Sequence, residues 1–288
     1  MAAHFVNMAA KPAAGAGAFR LGDLTINRLA FGAMRVTGPG VWGAPKDPRT
    51  MIRLLVRAFE LGHNFFDTAD SYGPEVSENL IAEALHPYPA EFIIGTKAGY
   101  VRPNGSWAPD GRPEHLRRAL EGSLKRLRLE RIDLYQFHTP DPKVPFAESV
   151  GALAELQNAG KIRHIGLSSV SVRQLNQARQ IAPVVSVQNR YSIDDRSSDD
   201  VLAACEAAGL AFIPWYPLGA GSALRSRRVK RVAENHGATP SQVALAWLMA
   251  RPSVTAPIAS ATSVAQLKEL APAAELSLTP EDMKALDL

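Results

Sequence analysis

Four side chains able to do acid–base chemistry stand at or just beyond the ends of apolar runs: Asp67 after NFF, Tyr72 five residues later in DTADSYG, Lys97 after FIIGT, and His138 after DLYQF. If those runs are strands, three strand ends deliver a carboxylate, a phenol, an ammonium and an imidazole to one rim. A free phenol is a weak acid near pKa ~10, and an adjacent cation favours loss of its proton, so Lys97 is the candidate to tune Tyr72. A lysine at a partly buried strand end needs compensation for lost water, which Asp67 can supply as an ion pair. His138 would then orient a carbonyl oxygen to which Tyr72 donates a proton. Plain structural roles stay open for each: a buried Asp67–Lys97 pair, a loop tyrosine, a hydrogen-bonded histidine. No metal is expected, because one His, one Asp and one Lys form no usual ligand set and Lys97 would repel a divalent ion. His63, His86, His115, His164 and His236 fall on helices, their ends or strand starts and read as structural.

The elements that must carry these groups follow from an alternation along the chain. Apolar runs at 29–34, 64–69, 91–97, 132–138, 162–168, 184–189, 210–215 and 254–260 read as strands. Between them lie segments of helical period, from MIRLLVRAFELG to VAQLKELAP, several with start signals: Asp47-Pro48, and Thr239-Pro240-Ser241-Gln242, which can form a capping box. Gly62, Gly160 and Gly209 sit where helices must stop. Parallel neighbours require crossovers and a sheet buried on both faces, so eight units averaging 36 of the 288 residues predict one (β/α)8 TIM barrel. A doubly wound open sheet is disfavoured because GAMRVTGPG lacks the glycine spacing of a dinucleotide fingerprint. Residues 1–18 are expected to form a loose Ala/Gly-rich segment and 19–288 the barrel, opened by a hairpin turning at Gly22-Asp23 and closed by a short C-terminal tail. Hydrophobic residues at 46%, charged residues at 21% and a net charge of +4 fit a soluble globular protein and argue against disorder. No membrane span or signal peptide is expected, and the location expected is cytoplasmic. The single cysteine, Cys205, reads as a buried spectator.

GAM at 32–34, DTADSYG at 67–73, TK at 96–97, QFHTPD at 136–141, GKIRHIGLSS at 160–169, VQNRYS at 187–192 and WYPLGAG at 215–221 follow one another near strand ends. With these motifs the sequence resembles the aldo-keto reductases from Leu29 to about Ala271, and in texture the compact bacterial members, including pyridoxal reductase-like proteins. The resemblance implies that Asp67, Tyr72, Lys97 and His138 match the family's catalytic tetrad, with Tyr72 as general acid. It implies NADPH as cofactor, with NADH open, bound without a Rossmann fold. Cofactor contacts carried over are Gly32, Met34, Ser168, Gln188, Trp215 stacking on the nicotinamide, Leu218, Gly219 and Ala220 near the pyrophosphate, and Ser260, Ala261, Thr262, Gln266 and Glu269 at the adenosine end.

Several positions depart from the family pattern. Ser169 replaces the usual Asn, Ser260 and Gln266 stand where NADPH-specific relatives carry Lys and Arg, and Leu270 replaces an Asn. The basic run Arg225, Arg227, Arg228, Lys230 and Arg231 offers compensating phosphate contacts, or is a solvated helix start. The short tail after Leu276, with SLTPEDMKAL as a capped terminal helix, implies an open pocket walled by Trp42, Tyr100, Trp107 and Tyr191. The expectation is an NAD(P)H-dependent reductase that turns a small aldehyde or ketone into the alcohol by hydride transfer. The second reading is a nicotinamide-binding redox sensor or regulatory interaction subunit with little turnover. A monomer or weak homo-oligomer is expected. Nucleic acid is not an expected partner, since the basic residues of HLRRALEGSLKRLRLERID are interleaved with Glu.

Overall fold

The computed structural model describes residues 11–251, 254 and 256–287. A hairpin comes first, β1 (Ala18–Leu21) and β2 (Leu24–Asn27), with Leu21 paired to Leu24 across the expected Gly22-Asp23 turn. The barrel begins with β3 (Ala30–Gly32), β4 (Phe65–Asp67) and β5 (Ile93–Ala98). A small antiparallel ribbon follows, β6 (Tyr100–Val101) with β7 (Ala108–Pro109). The remaining barrel strands are β8 (Ile132–Phe137), β9 (Ile162–Ser168), β10 (Val184–Gln188), β11 (Ala211–Phe212) and β12 (Ile258–Ala259). The eight long-range strands are parallel and pair in the order β11-β10-β9-β8-β5-β4-β3-β12. Closure comes from a bridge between Phe212 and Val254 and from Ile258 N–H donating to Pro214 O at 3.4 Å. Each of the eight apolar runs therefore holds one strand. The last two strands are shorter than their runs, since Pro214 and Pro257 have no N–H to give a ladder.

The helices are α1 (Pro48–Glu60), α2 (Val76–Leu85), α3 (Pro113–Leu127), α4 (Phe146–Asn158), α5 (Val172–Arg179), α6 (Asp199–Ala208), α7 (Arg227–Asn235), α8 (Pro240–Met249), α9 (Val264–Leu270) and α10 (Pro280–Asp287). Asp47 caps α1 by accepting from Thr50 N–H, and the Thr239–Gln242 capping box starts α8 as the sequence predicts. Most of the basic run lies on α7, an extra helix between β11 and α8. No helix among the described residues is long and apolar enough to cross a membrane.

Strand alternation divides the barrel into layers. Phe66, Ile94, Tyr135 and Phe137 face the helices, whereas Phe65, Ile93 and Leu134 meet the hairpin's Leu21, Leu24 and Ile26 in an apolar plug at the amino end of the barrel. Two residues further along the same inward rows come Asp67, Gly95 and Gln136, and then Lys97 and His138. Glycine is required between these layers: a Cβ on Gly95 would come within 2.8 Å of the Phe65 ring, and one on Gly166 within 2.6 Å of Ser186 Oγ. The interior thus changes from apolar to polar on approach to the strands' carboxyl ends.

Residues 1–10 of the segment expected to be loose lie outside the described residues. From Lys11 the chain is docked, with Ala13 fully buried and its N–H donating to Leu61 O at 3.0 Å. The small side chains that suggested looseness are what permit this approach, since a Cβ on Gly15 would lie 2.5 Å from Glu275 Cγ.

Candidate active site

Asp67, Lys97 and His138 lie at or just past the ends of β4, β5 and β8, and Tyr72 returns over them from the loop after β4, its N–H bonded to Ala69 O at 3.2 Å. Lys97 Nζ donates to Asp67 Oδ1 at 2.5 Å and Thr68 O at 2.9 Å, and reaches Tyr72 Oη at 3.5 Å. Asp67 and Lys97 are both buried. The other carboxylate oxygen, Oδ2, accepts from Gln136 Nε2 at 3.0 Å and Gln188 Nε2 at 2.8 Å. Three donors from three strands therefore converge on one carboxylate. Burial pulls the Lys97 ammonium below its ordinary range, opposed by the charge and hydrogen bond of Asp67.

The shift of the phenol runs opposite to the direction expected from Lys97 alone. Burial first, and then the negative charge of Asp67, push Tyr72 well above the ordinary phenol range, so it keeps the proton that a general acid donates. Burial, helped by the positive charge of Lys97, also holds His138 well below the usual imidazole range. His138 is thus neutral near pH 7, with Nδ1 3.4 Å from Ser71 Oγ. A neutral phenol and a neutral imidazole can each donate one hydrogen bond to an oxygen held between them.

Above these groups lies a cavity of about 240 Å³ walled by Tyr72, His138, Tyr100, Trp107, Trp215 and Tyr216. Gly32, Met34, Ser168 and Gln188 also reach it. It opens into a groove of about 960 Å³ through the shared walls Met34, Tyr216, Ile258 and Ser260. Along the groove stand the cations Arg35 and Lys46, then Leu218, Ala220, Thr262 and Gln266. The aromatic rings lining the cavity, with the Arg35 and Lys46 cations, the Asp47 carboxylate, the Thr262 hydroxyl and the Gln266 amide lining the groove, suit a long anionic molecule with a planar head. A dinucleotide fits that description.

Other expected contacts do not line this cleft. Tyr191 is fully buried, stacked on Trp247 at 6.0 Å between ring centres, with its hydroxyl donating to Asp199 at 2.6 Å. Trp42 lies beside Arg102, Ala261 is buried, and Gly219 turns the chain between two lining residues. Glu269 is drawn away by Thr239 Oγ1, which donates to it at 2.5 Å. Arg225 is exposed outside the groove lining, and Arg228 of the same run faces Asp194 at 3.8 Å. Gln136, Tyr216, Arg35 and Lys46 were missed. Gln136 had a usable signal, since in QFH it lies two residues before His138 and so on the same strand face.

The aldo/keto reductase family profile matches residues 28–288. The chain belongs to this family. It is 46% identical over 275 residues, 94% of this chain and 89% of the relative, to an uncharacterized oxidoreductase of Schizosaccharomyces pombe. It is 41% identical over 276 residues, 93% and 96% of the two chains, to pyridoxine 4-dehydrogenase of Escherichia coli. Among solved structures, glycerol dehydrogenase from Gluconobacter oxydans superposes with a TM-score of 0.87 at 28% identity over 94% of each chain. A thermostable aldo-keto reductase in complex with the inhibitor epalrestat gives 0.83 at 34% identity, covering 94% of this chain and 98% of that one. In this family member, the cavity and groove lie at the carboxyl ends of the barrel strands, where (β/α)8 enzymes carry their chemistry.

Proposed function

We propose that the chain is an NAD(P)H-dependent reductase of aldehydes and ketones, with NADPH the favoured cofactor. The observation that carries this reading is Lys97 Nζ held between Asp67 and the neutral Tyr72 hydroxyl on the floor of an aromatic cavity. Trp215, Met34, Arg35, Lys46, Thr262 and Gln266 are the groups that would hold the cofactor along the groove. Bound there, a reduced nicotinamide supplies hydride to a carbonyl carbon.

The chain's own residues handle the oxygen. Tyr72 gives up its proton as negative charge develops on that oxygen, and Lys97 beside it lowers the cost of the charge left on the phenol. Asp67 keeps Lys97 protonated in a site too dry to do so alone. With Ser71 Oγ 3.4 Å from His138 Nδ1, the tautomer that accepts at Nδ1 would present Nε2–H to orient the carbonyl oxygen. The 41% identity to pyridoxine 4-dehydrogenase makes the pyridoxal–pyridoxine pair the first substrate to try.

Tyr72→Phe is the test. Turnover of an aldehyde panel should fall by about 10²–10⁴-fold, the range general acid catalysis supplies. Nucleotide affinity, read by quenching of tryptophan fluorescence, should hold. Full activity in the purified variant refutes the assignment.

A further inference from the structure

Arg102 is 7% exposed, yet it has no carboxylate partner among the described residues. A buried cation is costly unless its donors are satisfied. Arg102 makes five hydrogen bonds, all to main-chain carbonyls: Nη1 to Val41 O (2.9 Å) and Ser71 O (3.2 Å), Nη2 to Gly40 O (3.2 Å) and Gly105 O (2.8 Å), and Nε to Gly105 O (3.3 Å). These acceptors belong to the loop after β3, the turn immediately before Tyr72, and the tip of the β6–β7 ribbon. The guanidinium also lies on Trp107, its Cζ 3.9 Å from the ring centre, and 5.4 Å from that of Trp42.

Trp107 is the ring at stake. It is 41% exposed, on a ribbon whose strands have only two residues each. Its ring centre nevertheless lies 6.3 Å from that of Tyr72 and 6.2 Å from that of His138, both edge-on, and it walls the cavity. Within its own ribbon Tyr100 meets that ring edge-on at 5.3 Å, and the rigid fork of Arg102 over the ring face adds the contact that fixes the rotamer. Apart from the buried Asp67, the side chains lining the cavity carry no charge near pH 7.

We infer that Arg102 is a positioning residue that locks Trp107 against the site as a flat wall and thereby sets selectivity for planar, uncharged aromatic aldehydes over small aliphatic ones. The inference rests on the carbonyl-reduction reading above. The bond from Arg102 to Ser71 O ties the clamp to the rim of the site.

The test compares 4-nitrobenzaldehyde with propanal in Arg102→Met, Arg102→Lys, Trp107→Ala and the Arg102→Met/Trp107→Ala double variant. In Arg102→Met the KM for the aromatic aldehyde should rise about tenfold with a smaller change in kcat, while propanal is nearly unaffected. Arg102→Lys, which keeps the charge and loses the fork, should restore only part of the selectivity. The double variant should be no less selective than Trp107→Ala, because Arg102 acts through that ring. Equal losses for both aldehydes, or additive losses in the double variant, overturn the inference. If Arg102→Met does not fold, Arg102→Lys carries the same comparison. Should the wild-type protein reduce no aldehyde, the proposed function falls separately. The clamp is then decided by the near-ultraviolet circular dichroism of Trp107, isolated by subtracting a Trp107→Phe spectrum. That band should collapse on altering Arg102, and an unchanged band refutes the clamp.

Discussion

Replacing Asp67 with Asn keeps the shape of the side chain and removes its charge. In the wild-type protein three donors, Lys97 Nζ, Gln136 Nε2 and Gln188 Nε2, converge on its two oxygens. Asparagine offers one oxygen and turns an N–H₂ toward a donor. Lys97 has no exposed surface through which water could compensate. Breaking such a buried pair from one side costs about 3–5 kcal/mol, which in a chain of this size lowers Tm on the order of 10 °C. The pH dependence adds a sign. Burial already lowers the folded-state pKa of Lys97 below its unfolded value, and loss of Asp67 removes the main opposing influence and lowers it further. A folded state that binds fewer protons than the unfolded one gains stability as pH rises through the interval between the two pKa values. That interval is wider in the variant. The deficit should therefore be largest near neutrality and shrink toward pH 10 as Lys97 becomes neutral in the folded variant. Urea unfolding of both proteins at pH 7, 8.5 and 10 measures it. A deficit below about 1 kcal/mol at pH 7, or one that grows with pH, would refute the assignment of Asp67 as the group that makes a buried ammonium tolerable.

Two further predictions concern groups away from the cavity. His63 is fully enclosed, with Nδ1 3.0 Å from Leu29 O, and burial lowers its pKa to about 4. Its stabilising contribution is complete above about pH 6.5 and is lost as pH falls toward 4, so His63→Gln should lose about 2 kcal/mol less than wild type between pH 7 and pH 5 in urea titrations. An identical slope in both proteins would mean that His63 is not neutral and enclosed. Cys205 is buried, and burial pushes its thiol up to about 12, so a disulfide reagent at pH 8 should label it only at the rate of unfolding. Prompt labelling of the native chain contradicts that enclosure.

The barrel was legible because each strand is a short apolar run and each crossover an amphipathic segment, both local patterns. Asp67, Lys97 and His138 were legible for a related reason: a polar group that ends an apolar strand must sit at the rim. What sequence could not supply were contacts made across the fold. Tyr191 follows β10 closely enough to suggest the pocket, yet Trp247, 56 positions later, takes its ring into the core. Glu269 belongs to the segment expected at the adenosine end, but the cap of α8 lies beside it and captures the carboxylate. Arg102 gave no signal because its carbonyl acceptors come from three separate segments. The opposite shift at Tyr72 has the same origin, since the sequence brings Lys97 to mind but not how little water reaches the phenol.

Among the described residues, the joint that closes the barrel is also its thinnest. β8 and β9 share five paired positions, whereas β11 meets the last strand region through the Phe212–Val254 bridge and the long Ile258–Pro214 hydrogen bond among the described residues. The groove runs across this joint, with Tyr216, Pro217 and Leu218 on one bank and Ile258, Ser260 and Thr262 on the other. A ligand that touches both banks acts as a splint over the seam. Its affinity and the barrel's resistance to opening then become one quantity: at a hundred times Kd the splint contributes about 2.7 kcal/mol against unfolding. Occupancy of the groove is thereby legible in a melting curve even where no turnover takes place.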